Sequence, residues 1–145
     1  LTWTISEHTD VGRQRTRNED ACLVVHHGAD DYSFIVCDGM GGHEDGHVAS
    51  AVGVATLGAW LQAHAQDPEV FRVLHEALRA ADQAVTAEAN GRTMGSTAVV
   101  ARVIGPRCWY GWVGDSRLYL YRGGALIERS EDHTRVAAMV AAGQL

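Results

Sequence analysis

The chain has 145 residues, with 12 arginines, no lysine, 18 carboxylates and a formal charge of −6. Its 46% apolar and 21% charged content belongs to a globular domain rather than a disordered chain, and the length suits one domain. An acidic chain with scattered arginines is a poor candidate for non-specific nucleic-acid or acidic-membrane binding.

Residues 21–26 (A-C-L-V-V-H) and 32–37 (Y-S-F-I-V-C) are short apolar runs rich in β-formers, with Gly28 and Asp30-Asp31 between them. They read as a hairpin, buried on both faces because few positions are polar. Residues 47–65 read as a helix. Val48, Val52, Ala55, Ala59 and Ala63 line one face, and Val54, Leu57, Trp60 and Leu61 broaden it. Residues 68–89 carry a sharper stripe of Val70, Leu74, Ala77, Leu78, Ala81 and Val85. Asp67-Pro68 supplies an N-cap and a first-turn proline. Strands follow at 97–104, 107–113 and 117–122, separated by Gly105-Pro106 and by Asp115-Ser116. Gly123-Gly124 marks another hairpin turn before a strand at 125–128, and 134–142 reads as a helix stopped by Gly143. The two long helices should pair antiparallel across a sheet face. Strands, helices, then strands again indicate an α+β fold with a mainly antiparallel sheet.

Cys22, Cys37 and Cys108 lie far apart with no C-x-x-C spacing, so they read as reduced thiols of a cytoplasmic protein. No apolar run approaches ~18 residues, so no membrane segment is expected. The chain opens on Leu1, not Met, and ends on Ala-Ala-Gly-Gln-Leu without a stop signal, so it reads as a piece of something longer.

Three acidic clusters fall at turns or strand ends. They are Asn18-Glu19-Asp20, Asp38-Gly39-Met40-Gly41-Gly42-His43 and Gly114-Asp115-Ser116-Arg117. Any one of them alone is a common turn. Carboxylates at the ends of buried strands are held firmly, and a following glycine exposes its carbonyl to a ligand. Carboxylates plus a carbonyl are the oxygen donors that Mg²⁺ and Mn²⁺ prefer, and two such ions can activate water toward a phosphoryl group. Spacing alone does not choose the reaction.

The stretch Thr9-Asp10-x-Gly12-x-x-Arg15-x-x-Asn18-Glu19-Asp20-Ala21 resembles the opening motif of the metal-dependent protein phosphatases of type 2C, the PPM family. Cys37-Asp38-Gly39-Met40-Gly41-Gly42-His43-x-x-Gly46-x-x-Ala49-Ser50 is similar to that family's second motif in its bacterial form. Met94-Gly95-Ser96-Thr97, Val113-Gly114-Asp115-Ser116-Arg117-x-Tyr119 and Asp132-His133-Thr134 resemble later motifs in the family's order. Separate motifs in order carry far more weight than one match.

The resemblance implies a central antiparallel β-sandwich flanked by helices, in one phosphatase-like domain spanning 1–145 with its C-terminal part missing. It implies hydrolysis of phosphoserine and phosphothreonine in proteins by metal-activated water, with two Mn²⁺ or Mg²⁺ ions and a third in bacterial members. By motif, Asp38 would bridge the two metals and the Gly39 carbonyl, Glu19 and Asp20 would serve the second. Asp115 would serve the third, and Arg15 would hold the substrate phosphate. Partners would be phosphoproteins and a cognate serine/threonine kinase, with no nucleic acid. His47 stands where the bacterial pattern has an acidic residue, and Met40 stands where some eukaryotic members have a histidine. Two further aspartate motifs of the family lie beyond the chain, so the 145 residues alone are expected to be inactive. The competing readings are a phosphatase-like regulatory or binding module without catalysis, and an unrelated carboxylate-metal nuclease or phosphoesterase. Intact Arg15, Asn18-Glu19-Asp20, Asp38-Gly39 and Asp115 disfavour the first of these, and the ordered motifs disfavour the second.

Overall fold

A computed structural model of the chain describes residues 3–41 and 45–143. In chain order the elements are β1 (Asp20–Gly28), β2 (Asp31–Gly41), α1 (Asp45–Ala63), α2 (Val70–Ala89), β3 (Met94–Ser96), β4 (Ala98–Ile104), β5 (Arg107–Val113), β6 (Tyr119–Arg122), β7 (Ala125–Arg129) and α3 (Arg135–Ala141). Strands β1-β2-β4-β5 form one antiparallel sheet, β3 extends it beside β2, and β6 pairs with β7. No helix among the described residues is long and apolar enough to cross a membrane.

Helices α1 and α2 cover one face of the large sheet, as expected. Across that face Leu23 stands opposite Ile35, Ile35 opposite Val100, and Val100 opposite Gly111. Ile35, Leu57, Leu61, Val73, Leu74 and Val100 close the core. Each large aliphatic side chain buried there contributes about 1.5–3 kcal/mol. The α2 stripe matches its expected residues at Val70, Leu74, Ala77 and Ala81, with Val73 added. Helix α2 starts at Val70, two residues later than expected. Asp67 accepts the Glu69 N–H at 2.9 Å and pairs with Arg72 at 2.5 Å, so it caps the approach to the helix rather than its first turn.

The stripe read for α1 is on the wrong face. Ala55, Ala59 and Ala63 are exposed, and the buried face is Gly46, Ala49, Ser50, Gly53, Val54, Leu57, Gly58 and Leu61. Hydropathy misses this face because glycines mark it. A methyl on Gly58 would stand 2.6 Å from Leu23 Cδ2, so the helix axis lies close to the sheet.

The hairpin β1–β2 is not buried on both faces. The face away from the helices carries Cys22, Val24, Phe34 and Val36, and Val36 is 46% exposed. Tyr110 and Trp112 continue this face on β5 and reach the β6–β7 side. Tyr110 Oη donates to Glu128, and Trp112 Nε1 donates to the Glu131 carbonyl at 2.6 Å. The accessible surface is 9433 Å², against about 7,300 Å² for a compact monomer of this mass. On this face Val36 is exposed and Cys22, Val24 and Phe34 are half-buried, and much of the remaining excess lies in the exposed N-terminal segment, β6–β7 and α3. Among the described residues β6 and β7 form a separate, largely exposed two-stranded sheet, and no second sheet packs on the large one as the expected sandwich requires.

At the end of the sheet far from Asp38, Arg102 is 1% exposed and donates through Nε and Nη2 to both oxygens of Asp31, at 3.1 and 2.9 Å. Its Nη2 also donates to the Ala65 carbonyl at 2.5 Å, which ties the end of the α1 segment to the sheet.

Candidate active site

Strand β2 does not stop at Cys37. It runs on to Gly41 because Gly39, Met40 and Gly41 pair with Ser96, Gly95 and Met94 of β3. Asp38 and Gly39 therefore lie within a hydrogen-bonded strand rather than in a turn. Asp20 is the first residue of β1 and stands directly opposite Asp38 in register. Directly opposed side chains have Cβ atoms about 4.5–5.5 Å apart, and like charges so placed repel. The Asp38 carboxyl is accordingly pushed above the usual aspartate value. Partial burial is the largest cause, followed by the neighbouring Asp20 and the charge of Asp115, with Arg15 opposing.

The approach to β1 is tied down locally. Asp10 accepts the Gly12 N–H at 2.7 Å. Asn18 donates to Thr9 Oγ1 at 2.7 Å and accepts the Asp20 N–H at 3.0 Å. The Arg15 guanidinium pairs with the Glu19 carboxylate. The Glu19 carbonyl accepts the Gly39 N–H at 3.0 Å, which joins the cluster to β2. The α1 N-terminus closes over this junction at Gly46. A methyl there would stand 2.5 Å from Glu19 Oε1 and 2.9 Å from the Gly39 carbonyl oxygen.

On the other side of Asp38, its carbonyl accepts from the Thr97 N–H at 2.8 Å and from Ser96 Oγ at 3.1 Å. Asp115 follows Gly114, whose φ of +97° suits glycine, in the loop between β5 and β6. Arg117 makes a two-pronged contact with Asp132 at 2.7 and 2.6 Å. That contact ties this loop to the segment before α3.

Arg15, Glu19, Asp38, Gly39, Thr97 and Asp115 thus line one polar depression, and Asn18 and Asp20 line its neighbour. Five of the six residues singled out in the sequence line the first depression, and the sixth, Asp20, lines the second together with Arg15, Glu19 and Asp38. They do not form a closed cage: among the described residues no three His, Cys, Asp or Glu side chains converge to hold an ion by themselves. Glu19 turns to Arg15, while Asp20 and Asp38 form the close pair. The reading of His43 falls outside the described residues. His47, at the start of α1, has its ring 3.3 Å from Arg17 Nη1. Sequence reasoning missed the close approach at Gly46 and the bonding of Thr97, although both residues stand in quoted motifs.

The family profile described as protein phosphatase 2C matches residues 9–141. The chain belongs to the protein phosphatase 2C family. It is 35% identical over 146 residues to the protein phosphatase PhpP of Streptococcus pneumoniae, covering 97% of this chain and 59% of that protein. It is 35% identical over 145 residues to the serine/threonine protein phosphatase PstP of Mycobacterium tuberculosis, covering 94% of this chain and 26% of that one. The crystal structure of the M. tuberculosis phosphatase PstP/Ppp superposes with a TM-score of 0.80 at 33% identity, covering 95% of this chain and 58% of that structure. The structure of the PstP catalytic domain with two manganese ions gives 0.78 at 33% identity, covering 95% and 59%. This protein phosphatase 2C chain therefore spans about three fifths of the length of the PhpP protein it matches.

Proposed function

We propose that this chain forms part of a metal-dependent serine/threonine protein phosphatase that hydrolyses phosphoserine and phosphothreonine in proteins. The observation that carries the reading is the Asp20–Asp38 pair, opposed in register where two adjoining depressions share Asp38, Arg15 and Glu19, one lined also by Asp20 and the other by Asp115. Two carboxylates forced together with one arginine opposing them form a site short of positive charge, and a divalent cation relieves that deficit. The donors are all oxygen, which suits Mn²⁺ or Mg²⁺ rather than a softer metal. The manganese in the PstP structure supports the same choice.

In this reading Asp38 would serve both ions, Glu19, Asp20 and the Gly39 carbonyl would hold one of them or its waters, and Asp115 would serve a third. When bound, such ions supply an activated water and offset charge on the phosphoryl group. The planar guanidinium of Arg15 fits two phosphate oxygens and would exchange its Glu19 partner for them. Gly46 keeps the α1 N-terminus against Glu19 and Gly39, so these two ligands share one rigid support. The substrates are phosphoproteins of the cytoplasm, and a cognate serine/threonine kinase is the natural antagonist. The partial coverage of PhpP supports residues 1–145 as part of a single phosphatase domain.

The test is phosphate release from a phosphothreonine peptide by the full-length protein. Asp38→Asn should cut turnover at least ~10²-fold, roughly 2.7 kcal/mol of transition-state stabilisation. Near-wild-type turnover by that variant would remove Asp38 from the site. A wild-type protein that binds phosphoprotein without turnover would favour the binding-module reading.

A further inference from the structure

The register that joins β2 to its neighbours runs through Thr97. Gly39 stands opposite Ser96 and Val36 opposite Val99, so Thr97 stands opposite Asp38. A regular antiparallel pair of this kind exchanges two backbone hydrogen bonds. Here only one forms, from the Thr97 N–H to the Asp38 carbonyl at 2.8 Å. The Asp38 N–H donates instead to Thr97 Oγ1, at 3.0 Å. The Thr97 carbonyl, released from the ladder, is the nearer of two carbonyls that share the single Ser96 hydroxyl hydrogen, at 2.7 Å against 3.1 Å for that of Asp38. A side-chain hydroxyl has taken the place of a main-chain acceptor beside the central carboxylate of the site.

The same hydroxyl makes a second bond, 2.6 Å to Ser116 Oγ, in the loop that carries Asp115. The threonine methyl lies under Gly114 of that loop. A Cβ on Gly114 would stand 2.7 Å from Thr97 Cγ2 and 3.0 Å from Thr97 Cβ. Thr97 is 5% exposed, so these contacts are made out of competition with water. One buried side chain thus holds the backbone of Asp38 on one side and the Gly114–Ser116 loop on the other.

We propose that Thr97 is a positioning residue that sets the placement of Asp38 relative to Asp115, and through it the affinity of the site for divalent cations. The proposal rests on the phosphatase reading for its metal consequence and on the hydrogen bonds alone for the joint itself. Valine keeps the shape of threonine and loses the hydroxyl, which leaves the Asp38 N–H without its acceptor and frees Ser116. Serine keeps the hydroxyl and loses the methyl under Gly114.

The experiment uses the full-length protein as wild type, Thr97→Val, Thr97→Ser, Ser116→Ala and the Thr97→Val/Ser116→Ala double variant. Mn²⁺ affinity is measured by calorimetry, and amide hydrogen exchange is followed at Asp38 and across 114–116. Thr97→Val should weaken Mn²⁺ binding at least about tenfold, in the range seen when a group supporting a metal ligand is removed. It should also speed exchange in both segments. Thr97→Ser should restore most of the affinity, and the double variant should be no weaker than Thr97→Val, because one bond is lost only once. Unchanged Mn²⁺ affinity in a folded Thr97→Val protein overturns the proposal. So does faster exchange at Asp38 alone, or a Ser116→Ala effect that adds in full to that of Thr97→Val. If Thr97→Val does not fold, Ser116→Ala decides: weaker Mn²⁺ binding with faster exchange at both segments supports the joint, and an effect on 114–116 alone overturns it. A wild-type protein that binds no Mn²⁺ overturns the phosphatase reading and the metal half of the proposal. Exchange then decides the joint by the same criterion.

Discussion

Replacing Gly39 by alanine probes the contact on which the site's support depends. The added methyl would run into the Gly46 carbonyl and stand 2.5 Å from the Gly46 carbonyl carbon and 2.9 Å from the Glu19 carbonyl oxygen. The first distance is about 0.9 Å short of the 3.4 Å at which ordinary contact begins. Every atom met is backbone, so no side chain can swing away. Either the α1 N-terminus lifts from β2 or the Gly39–Glu19 hydrogen bond parts. Overpacking of this kind costs about 1–3 kcal/mol, and this case should fall at the upper end. At about 3 °C per kcal/mol for a domain of this size, the melting temperature should fall by roughly 10 °C. A shift of about 1 Å among catalytic groups also costs about 10²-fold in rate. Gly28→Ala is the control, because a Cβ there meets nothing within 4 Å and needs no special φ. Thermal unfolding of the full-length protein followed by far-ultraviolet circular dichroism reads the first effect, and Mn²⁺-dependent phosphate release reads the second. A Gly39→Ala protein as stable and active as Gly28→Ala would refute the close approach of α1 to β2.

Arg102→Ala leaves Asp31 and the Ala65 carbonyl without their buried cation and should destabilise the fold by about 3 kcal/mol or more in urea denaturation, with the same m-value. A loss below about 0.5 kcal/mol would mean that the pair contributes nothing. The His27 ring is held below the usual histidine pKa, first by burial and then by the charge of Arg102, with Asp31 pulling the other way. Its folded pKa is thus below its unfolded one, the unfolded chain takes up the proton more readily, and stability falls as pH drops through about 6.5. His27→Gln should flatten that part of the stability profile between pH 8 and 5.5, and an unchanged slope would assign the loss elsewhere. Residues 1–145 by themselves should bind a hydrophobic dye through the sheet face that carries exposed Val36 and half-buried Cys22, Val24 and Phe34, and should release no phosphate from a phosphothreonine peptide. Robust Mn²⁺-dependent turnover by that stretch would show that further aspartates are dispensable.

The legible and illegible parts of this fold divide along physical lines. The α2 face was readable because Val70, Leu74, Ala77 and Ala81 recur at helical spacing among polar residues. The α1 face was not, because Gly53 and Gly58 face the sheet, and hydropathy assigns a glycine no side. The end of β2 was placed too early because Asp38-Gly39 reads locally as a turn. Pairing with β3, more than 50 residues on, extends the strand. The residues of the candidate site stand in motifs legible in the sequence, within the stretch that the family profile matches. Their mutual geometry was not: that Asp20 opposes Asp38, or that Thr97 bonds both Asp38 and Ser116, depends on strand register, which no local pattern encodes.

The central claim is that the Asp20–Asp38 pair is the heart of a divalent-metal site. Crystals of the full-length protein soaked in Mn²⁺ and measured at the manganese absorption edge test it directly. The account predicts anomalous peaks on either side of the Asp38 carboxylate, one of them beside Asp20 and the Gly39 carbonyl. Manganese bound elsewhere, with Asp38 ligating none of it, would contradict the account.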